Sequence, residues 1–341
     1  MNLYLFPSYA SFDDGYGIAV ESDYRKCAPT DQDVVVWRYR LNHIRPLYIK
    51  DSHYIINQNR FFSWRSMVNT LKRTNRSEIA CSDLEFLKGK NFDKIFCGDV
   101  CYYNAIRKLF PDKNIIVRFH NCFARIYDRK RITCRNVDFM YSVTLSNMYR
   151  LERKIMIDDK VQKIFISEED RAFYTSHFGK YQDSLTWQLL PSEEKMASNQ
   201  KDLHLKPILV WFGGVDSHKK GSIDWFINNV YENVRKQMPE IEFHLYGKQT
   251  EKFNNPDVNI FGHGFYSGKD NIPIKDALYI NPDIIGGGVK MKLITYFESG
   301  VPFISSIYGF EGFPKNLIDN KYCFVAEDDE WVETIIRILS K

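Results

Sequence analysis

Short apolar runs bounded by polar loops recur along the chain, and stretches with apolar residues at spacings of three and four lie between many of them. Leu3–Phe6, Val34–Trp37, Tyr54–Ile56, Phe92–Gly98, Asn114–Phe119 and Lys163–Ser167 read as strands in the first half. Ile208–Phe212, Ile241–Tyr246, Asn259–Gly262, Leu278–Ile280 and Phe303–Ile307 read as strands in the second. Helices are expected over Ile18–Arg25, Tyr102–Leu109, Tyr149–Asp158, Ile223–Val234 and Glu330–Leu339. One more follows Ser167-Glu168-Glu169-Asp170, where the serine reads as a cap and the acids as first-turn charges, not as catalysts. Alternation of strand and helix in both halves predicts an α/β protein with two parallel sheets. A chain of 341 residues suits two domains of about 150 residues each. The polar, irregular stretch Gln182–Lys206 places the boundary, giving domains 1–185 and 186–341.

Composition changes this picture little, with 44% hydrophobic and 26% charged residues, an ordinary globular mixture. Charge changes it more. The net +4 hides 30 Lys and Arg against 22 Asp and Glu in residues 1–185, and 17 against 21 in the remainder. A basic first half is expected to face something anionic, a nucleic acid or a membrane surface. Arg60–Arg76 (RFFSWRSMVNTLKRTNR) holds five cations and no acid, with Phe61, Phe62, Trp64, Met67, Val68 and Leu71 at near-helical spacing. Either its aromatics are core and its charges solvated, or the segment lies on an anionic interface. Arg125–Arg135 is a second basic run. No nucleic-acid-reading motif is present, so no nucleic acid partner is expected. Seven scattered cysteines without a Cys-x-x-Cys pair suit reduced thiols and a cytoplasmic setting. The opening MNLYLFPSY is too short an apolar run for a signal peptide, and nothing approaches a membrane span. The expected location is cytoplasmic, peripheral to the inner membrane face at most.

Candidate chemistry gathers at loops that follow strands. Asp13-Asp14-Gly15-Tyr16-Gly17 follows the first strand, and Gly213-Gly214-Val215-Asp216-Ser217-His218-Lys219-Lys220-Gly221 follows Ile208–Phe212. A third loop reaches Gly286-Gly287-Gly288, then turns helical from Val289, with Lys290 and Lys292 close by. Gly300 stops that helix and Pro302 bars its continuation. A glycine loop opening a helix lets backbone N–H groups and the helix dipole meet an anion. Such a loop can cradle a nucleotide diphosphate, or it can be a flexible turn flanked by solvated lysines. Asn114–Phe119 delivers His120-Asn121 to a carboxyl-terminal strand end, where open α/β sheets bind ligands.

The order of the third loop's pieces is more specific. Gly286-Gly287-Gly288-Val289-Lys290-Met291-Lys292, a helix, Gly300-Val301-Pro302-Phe303-Ile304 and then Gly309-Phe310-Glu311-Gly312 resembles the donor-site signature of the large, mostly retaining group 1, or family 4-like, glycosyltransferases. The resemblance implies a GT-B architecture, two Rossmann-like doubly wound domains facing across a cleft, with the last helix returning toward the first domain. It implies a nucleotide-diphosphate sugar donor held by the second domain, and a glycan or polyprenyl-linked acceptor held by the first. It further implies retention at the anomeric carbon, and bacterial-type surface polysaccharide synthesis is the expected setting. The one Asp-x-Asp, Asp31-Gln32-Asp33, precedes a strand instead of ending one, so no metal is expected, and no cofactor. His120, Lys220 and Lys290 are then the catalytic set. Gly15, Gly17, Gly213, Gly214, Lys219, Gly286, Gly287, Gly288, Val289, Lys292, Thr295 and Glu298 are the donor-binding set. The pattern also departs from the family. Its loop arginine has no counterpart, Gly214 and Val215 standing there, and its paired glutamates fall on Gly287 and Thr295. Glu298, one helical turn past Thr295, is a replacement for ribose binding or a surface residue. A non-catalytic nucleotide-sugar-binding module, an epimerase or a phosphorylase on the same fold are the alternatives.

Overall fold

The computed structural model describes residues 1–7, 15–39, 50, 52–57, 78–133, 139–179, 184–194, 196, 204–215, 217–266, 272–284, 288–319 and 321–340. It divides into two compact units, Met1–Leu189 and Leu190–Lys341.

The first unit is built on β1 (Leu3–Pro7), β2 (Val34–Tyr39), β3 (Tyr54–Asn57), β4 (Ile95–Cys97), β5 (Ile115–Phe119), β6 (Val161–Phe165) and β7 (Ser184–Thr186). All pair in parallel, in the order β3-β2-β1-β4-β5-β6-β7, with Leu5 in register with Val36 on one side and Cys97 on the other. Because side chains alternate across a strand, β1 sends Leu3 and Leu5 into one core layer and Tyr4 and Phe6 into the other. Phe6 and Trp37 stack at 5.0 Å in the second layer. The first unit runs on past residue 185 because β7 hydrogen-bonds to β6.

Helices of this unit are α1 (Gly15–Cys27), α2 (Tyr103–Leu109), α3 (Phe123–Thr133), α4 (Phe139–Met156) and α5 (Glu168–Phe178). Ser167 caps α5, its hydroxyl accepting the Asp170 N–H at 3.1 Å. One expected helix begins elsewhere, and one helix was not read from the sequence. The one expected over Tyr149–Asp158 starts ten residues earlier as α4, and the basic run from Arg125 is itself helical, as α3.

The second unit holds β8 (Ile208–Phe212), β9 (Glu242–Tyr246), β10 (Ile260–Gly262), β11 (Leu278–Asn281), β12 (Phe303–Ser306) and β13 (Cys323–Ala326), parallel in the order β10-β9-β8-β11-β12-β13. Its helices are α6 (Ser217–Phe226), α7 (Glu232–Gln237), α8 (Met291–Ser299), α9 (Ile307–Phe310) and α10 (Trp331–Leu339). Leu209, Trp211, Phe243, Leu245, Leu278 and Ile280 bury one sheet face against α6 and α10, where Trp331 meets Phe226 at 5.5 Å. Gly300 ends α8 in the left-handed region at φ +64°. Ile307 is not the end of a strand. It opens α9, because the Ser306 hydroxyl accepts the Gly309 N–H and caps a turn there. β13 went unread in the sequence. Six described cysteines, Cys27, Cys81, Cys97, Cys101, Cys122 and Cys323, are free thiols. Among the described residues no helix is long and apolar enough to cross a membrane.

In each sheet the chain builds outward one way, then returns to build the other. The reversal falls between β1 and β4 in the first unit and between β8 and β11 in the second. Crevices at the carboxyl ends of such reversing strands are where open α/β sheets hold ligands.

Candidate functional site

The two glycine loops of the second unit leave from β8 and β11, the strands that flank its reversal. The first is fixed by backbone bonds, Gly213 N–H to the Tyr246 carbonyl and Val215 N–H to the Lys248 carbonyl, both at 2.9 Å. Gly247 allows this, since a Cβ there would collide with the Gly213 carbonyl and its φ of +131° suits no side chain. The second loop is anchored where it leaves β11. Asn281 donates its amide to the Ser305 hydroxyl at 3.0 Å, and the Ser306 hydroxyl donates to the Asp283 carbonyl. The Ile284 N–H donates to the Ser222 hydroxyl of α6 at 3.2 Å.

Lys292, in the first turn of α8, turns into this junction. Its Nζ lies 3.3 and 3.4 Å from the two carboxylate oxygens of Asp283 and 5.0 Å from the centre of the Trp211 ring. The side chains are 10% and 5% exposed. Burial depresses the ammonium to about pKa 8, Asp283 opposing the shift and Lys219 and Lys290 adding to it. The Trp211 ring also underlies Gly213, at 3.3 Å from where a Cβ would stand. One indole therefore packs against both the first glycine loop and the Lys292 ammonium.

The remaining expected cations differ. Lys290 precedes the helix in extended conformation, and its Nζ donates to the Gly288 carbonyl at 3.3 Å. The helix opens at Met291, not Val289, so the N–H of Val289 belongs to the loop. Gly288 adopts φ +75°, while Gly286 and Gly287 lie outside the described residues. Lys220 is exposed and pairs with Asp224 one turn along α6. Thr295 donates to its own helix at the Met291 carbonyl, 3.5 Å away, and the Glu298 carboxylate accepts the Ser192 N–H at 3.1 Å. The structure thus sets Lys290 at Gly288 and Lys292 on the ring that underlies Gly213, with Lys219 and Lys290 close enough to act on Lys292, and turns Lys220 and Glu298 to other partners.

In the first unit, His120 follows β5 and is buried, its side chain 5% exposed. Its Nε2 is 3.0 Å from the Gly98 carbonyl and 3.3 Å from Asp23 on α1. Asp23 also takes Arg118 Nε at 2.9 Å, and Arg118 donates onward to the carbonyls of Phe165 and Trp187. Burial lowers the His120 pKa, so the ring is neutral at pH 7. The loop that carries it is held from beneath. Glu152, fully buried on α4, accepts the N–H groups of Phe123 and Ala124 at 3.2 and 2.8 Å, at the start of α3. Gly15 opens α1 and Gly17 is buried in its first turn. Asp23, Arg118, Glu152 and Asp283 were not singled out from sequence. Arg118 left one trace, a charge inside the apolar run Asn114–Phe119.

Comparison with known proteins bears on the second unit first. Residues 206–341, which hold both glycine loops and the Asp283–Lys292 pair, match the family described as glycosyl transferases group 1. This segment is thus similar to group 1 glycosyl transferases.

Solved structures extend the likeness to the fold of the whole chain. Sucrose-phosphate synthase from Thermosynechococcus elongatus aligns with a TM-score of 0.65 at 12% identity, over 100% of this chain and 90% of that one. WaaG, a glycosyltransferase involved in lipopolysaccharide biosynthesis, aligns at 0.60 and 11%, over 100% and 91%. TarM aligns at 0.54 and 18%, over 76% of this chain and 50% of TarM, so the chain spans half the length of that protein. The two-sheet α/β fold is that of GT-B glycosyltransferases. Comparison with curated protein sequences gives no match. The matched segment holds Gly288, Lys290 and Lys292, while Gly287 and Thr295, where the resembled pattern expects paired glutamates, are non-acidic. Among the described residues no group of three His, Cys, Asp or Glu side chains is placed to hold a metal ion.

Proposed function

We propose that the chain transfers a sugar from a nucleotide-diphosphate sugar to a glycan or lipid-linked acceptor, and that the diphosphate seats at the β8/β11 reversal of the second unit. The observation that carries this reading is the largely buried ammonium of Lys292, held by Asp283 and the Trp211 ring that underlies Gly213, in a segment that matches the group 1 glycosyl transferase family. A buried cation beside backbone that a phosphate can approach closely is matched to a leaving diphosphate. As the sugar–phosphate bond breaks, charge grows on the departing oxygens. Lys292, Lys290 and the N–H groups near Gly288 offset that charge without a proton or a metal. Aromatic rings of Phe212, Tyr246 and Tyr266 cluster at the ends of β8 and β9, Phe212 and Tyr266 lying edge to face at 5.8 Å. They offer an apolar wall for the nucleobase at the same edge of the sheet. Retention at the anomeric carbon, metal independence, and a place in surface polysaccharide synthesis at the inner membrane face belong to this proposal as well.

The non-acidic residues at the paired glutamate positions favour a second reading, a module that binds a nucleotide sugar without transferring it. A panel of nucleotide sugars, incubated with the protein and assayed for nucleoside diphosphate release, separates the two. Release from one donor, raised by a matching acceptor, supports transfer. Tight donor binding with no release across the panel supports the module.

A further inference from the structure

A carboxylate beside a phosphate cradle is unfavourable unless it does something for the cation there. Asp283 is 4% exposed and both of its oxygens lie within 3.4 Å of Lys292 Nζ. Its backbone is fixed independently, through the Ser306 hydroxyl on its carbonyl and the Ile284–Ser222 bond of the next residue. These bonds hold the backbone of Asp283 in place beside the ammonium. Three elements face Lys292. The end of β11 brings Asp283, α6 brings Lys219, and the lead into α8 brings Lys290, while β8 supplies the neutral Trp211 ring. Two like charges and burial all work to discharge the amine, and Asp283 is the one carboxylate among these neighbours opposing them.

We propose that Asp283 is a positioning residue for Lys292, holding its ammonium charged and fixed at the β8/β11 reversal so that an incoming diphosphate meets a formed cation. The proposal rests on the donor-site reading given above. It assigns a task to a residue outside the family's loop-and-helix signature. When a diphosphate binds, it supplies the negative charge that Asp283 supplies in the empty site, and Lys292 stays protonated throughout.

The test has two readouts on full-length protein. In the empty protein, the rate of Lys292 acylation by an amine-reactive reagent, followed by peptide mass spectrometry across pH 6–10, reports its protonation. Binding of inorganic pyrophosphate, followed by calorimetry over the same range, reports the cation's use. In Asp283→Asn the acylation midpoint is expected to fall by at least about one pH unit, and pyrophosphate affinity at pH 8 to fall about tenfold. Affinity recovers toward pH 6, and Asp283→Glu retains most of both properties. An unchanged acylation midpoint in Asp283→Asn overturns the proposal. A shifted midpoint with pyrophosphate affinity unaltered in every variant leaves the pairing standing and overturns the donor-site reading. Should Asp283→Asn fail to fold, thermal denaturation of Asp283→Asn/Lys292→Met decides. Recovery of stability on removing the stranded ammonium supports the pairing, and no recovery contradicts it.

Discussion

Lys290 and Lys292 stand two residues apart and meet different surroundings. Lys292 is enclosed and paired with Asp283, whereas Lys290 is half-buried and its Nζ reaches the Gly288 carbonyl at 3.3 Å. A diphosphate is a better partner for Lys290 than a neutral carbonyl. Replacing Lys290 with Ala is expected to weaken nucleoside diphosphate binding by roughly 1.5–3 kcal/mol, and to leave nucleoside binding unchanged. Calorimetry on both ligands checks it, and equal diphosphate affinity in the two proteins removes Lys290 from the site. The sequence pointed to both lysines because they sit in a spaced pattern. It did not point to Asp283, because one acid after a strand carries no periodic or spacing signal. Its pairing with Lys292 exists only once β11 and α8 are folded side by side. Lys220 shows the converse, since an expected position beside a glycine loop does not fix where a long side chain goes. Its partner Asp224 lies one turn along the same helix, a local choice no motif records.

Two elements hold the loops in place, one in each unit. Gly247 permits the Gly213 loop to cross close over the end of β9. Gly247→Ala is expected to cost about 1–3 kcal/mol in stability and to displace that loop, lowering diphosphate affinity along with the unfolding temperature. A variant with full affinity would show that the loop's position does not matter to the ligand. In the first unit Glu152 pins the start of α3, and its burial pushes its pKa from 4.5 to about 8. The folded protein therefore keeps a proton on Glu152 that the unfolded chain releases near the ordinary glutamate range. The stability tied to that proton is complete at acid pH and is lost as pH rises toward about 8. Thermal unfolding between pH 5 and 9 should show wild type losing stability relative to Glu152→Gln, and a constant difference between them would refute the assignment. Strands were legible in the sequence because β1, β2, β5, β8 and β11 are nearly continuous apolar runs, and β9 alternates Phe243 and Leu245 with polar residues. Helix ends were less so. The start of α8 shifted to Met291 because Lys290 takes an extended conformation, and the length of α4 was hidden by the polar residues on its exposed side.

At the scale of the whole chain, the parallel order of both sheets was recoverable from strand–helix alternation, and the reversal points follow from strand order alone. The charge division between the halves also concerns the whole molecule. The segment Arg60–Arg76, the expected contact with an anionic surface, lies outside the described residues, and Arg125 of the second basic run is committed to Asp170 at 3.1 Å. Each Lys or Arg near an anionic bilayer contributes about 1 kcal/mol, so the basic half should bind anionic vesicles at low salt and release them as salt rises. Sedimentation with anionic and neutral vesicles tests this, using a variant in which Arg65, Lys72 and Arg73 are replaced together. Binding that ignores lipid charge or survives that variant points to a soluble acceptor.

The seat of the donor diphosphate is the claim on which the rest depends. Calorimetric titration of wild type and Lys292→Met with a series of nucleoside diphosphates, each beside its nucleoside, measures it directly. One or more nucleoside diphosphates should bind wild type well above the matching nucleoside, with at least about tenfold weaker binding to Lys292→Met. Failure of every nucleoside diphosphate to bind, or equal affinity for wild type and a folded Lys292→Met, would contradict a donor site at the β8/β11 reversal.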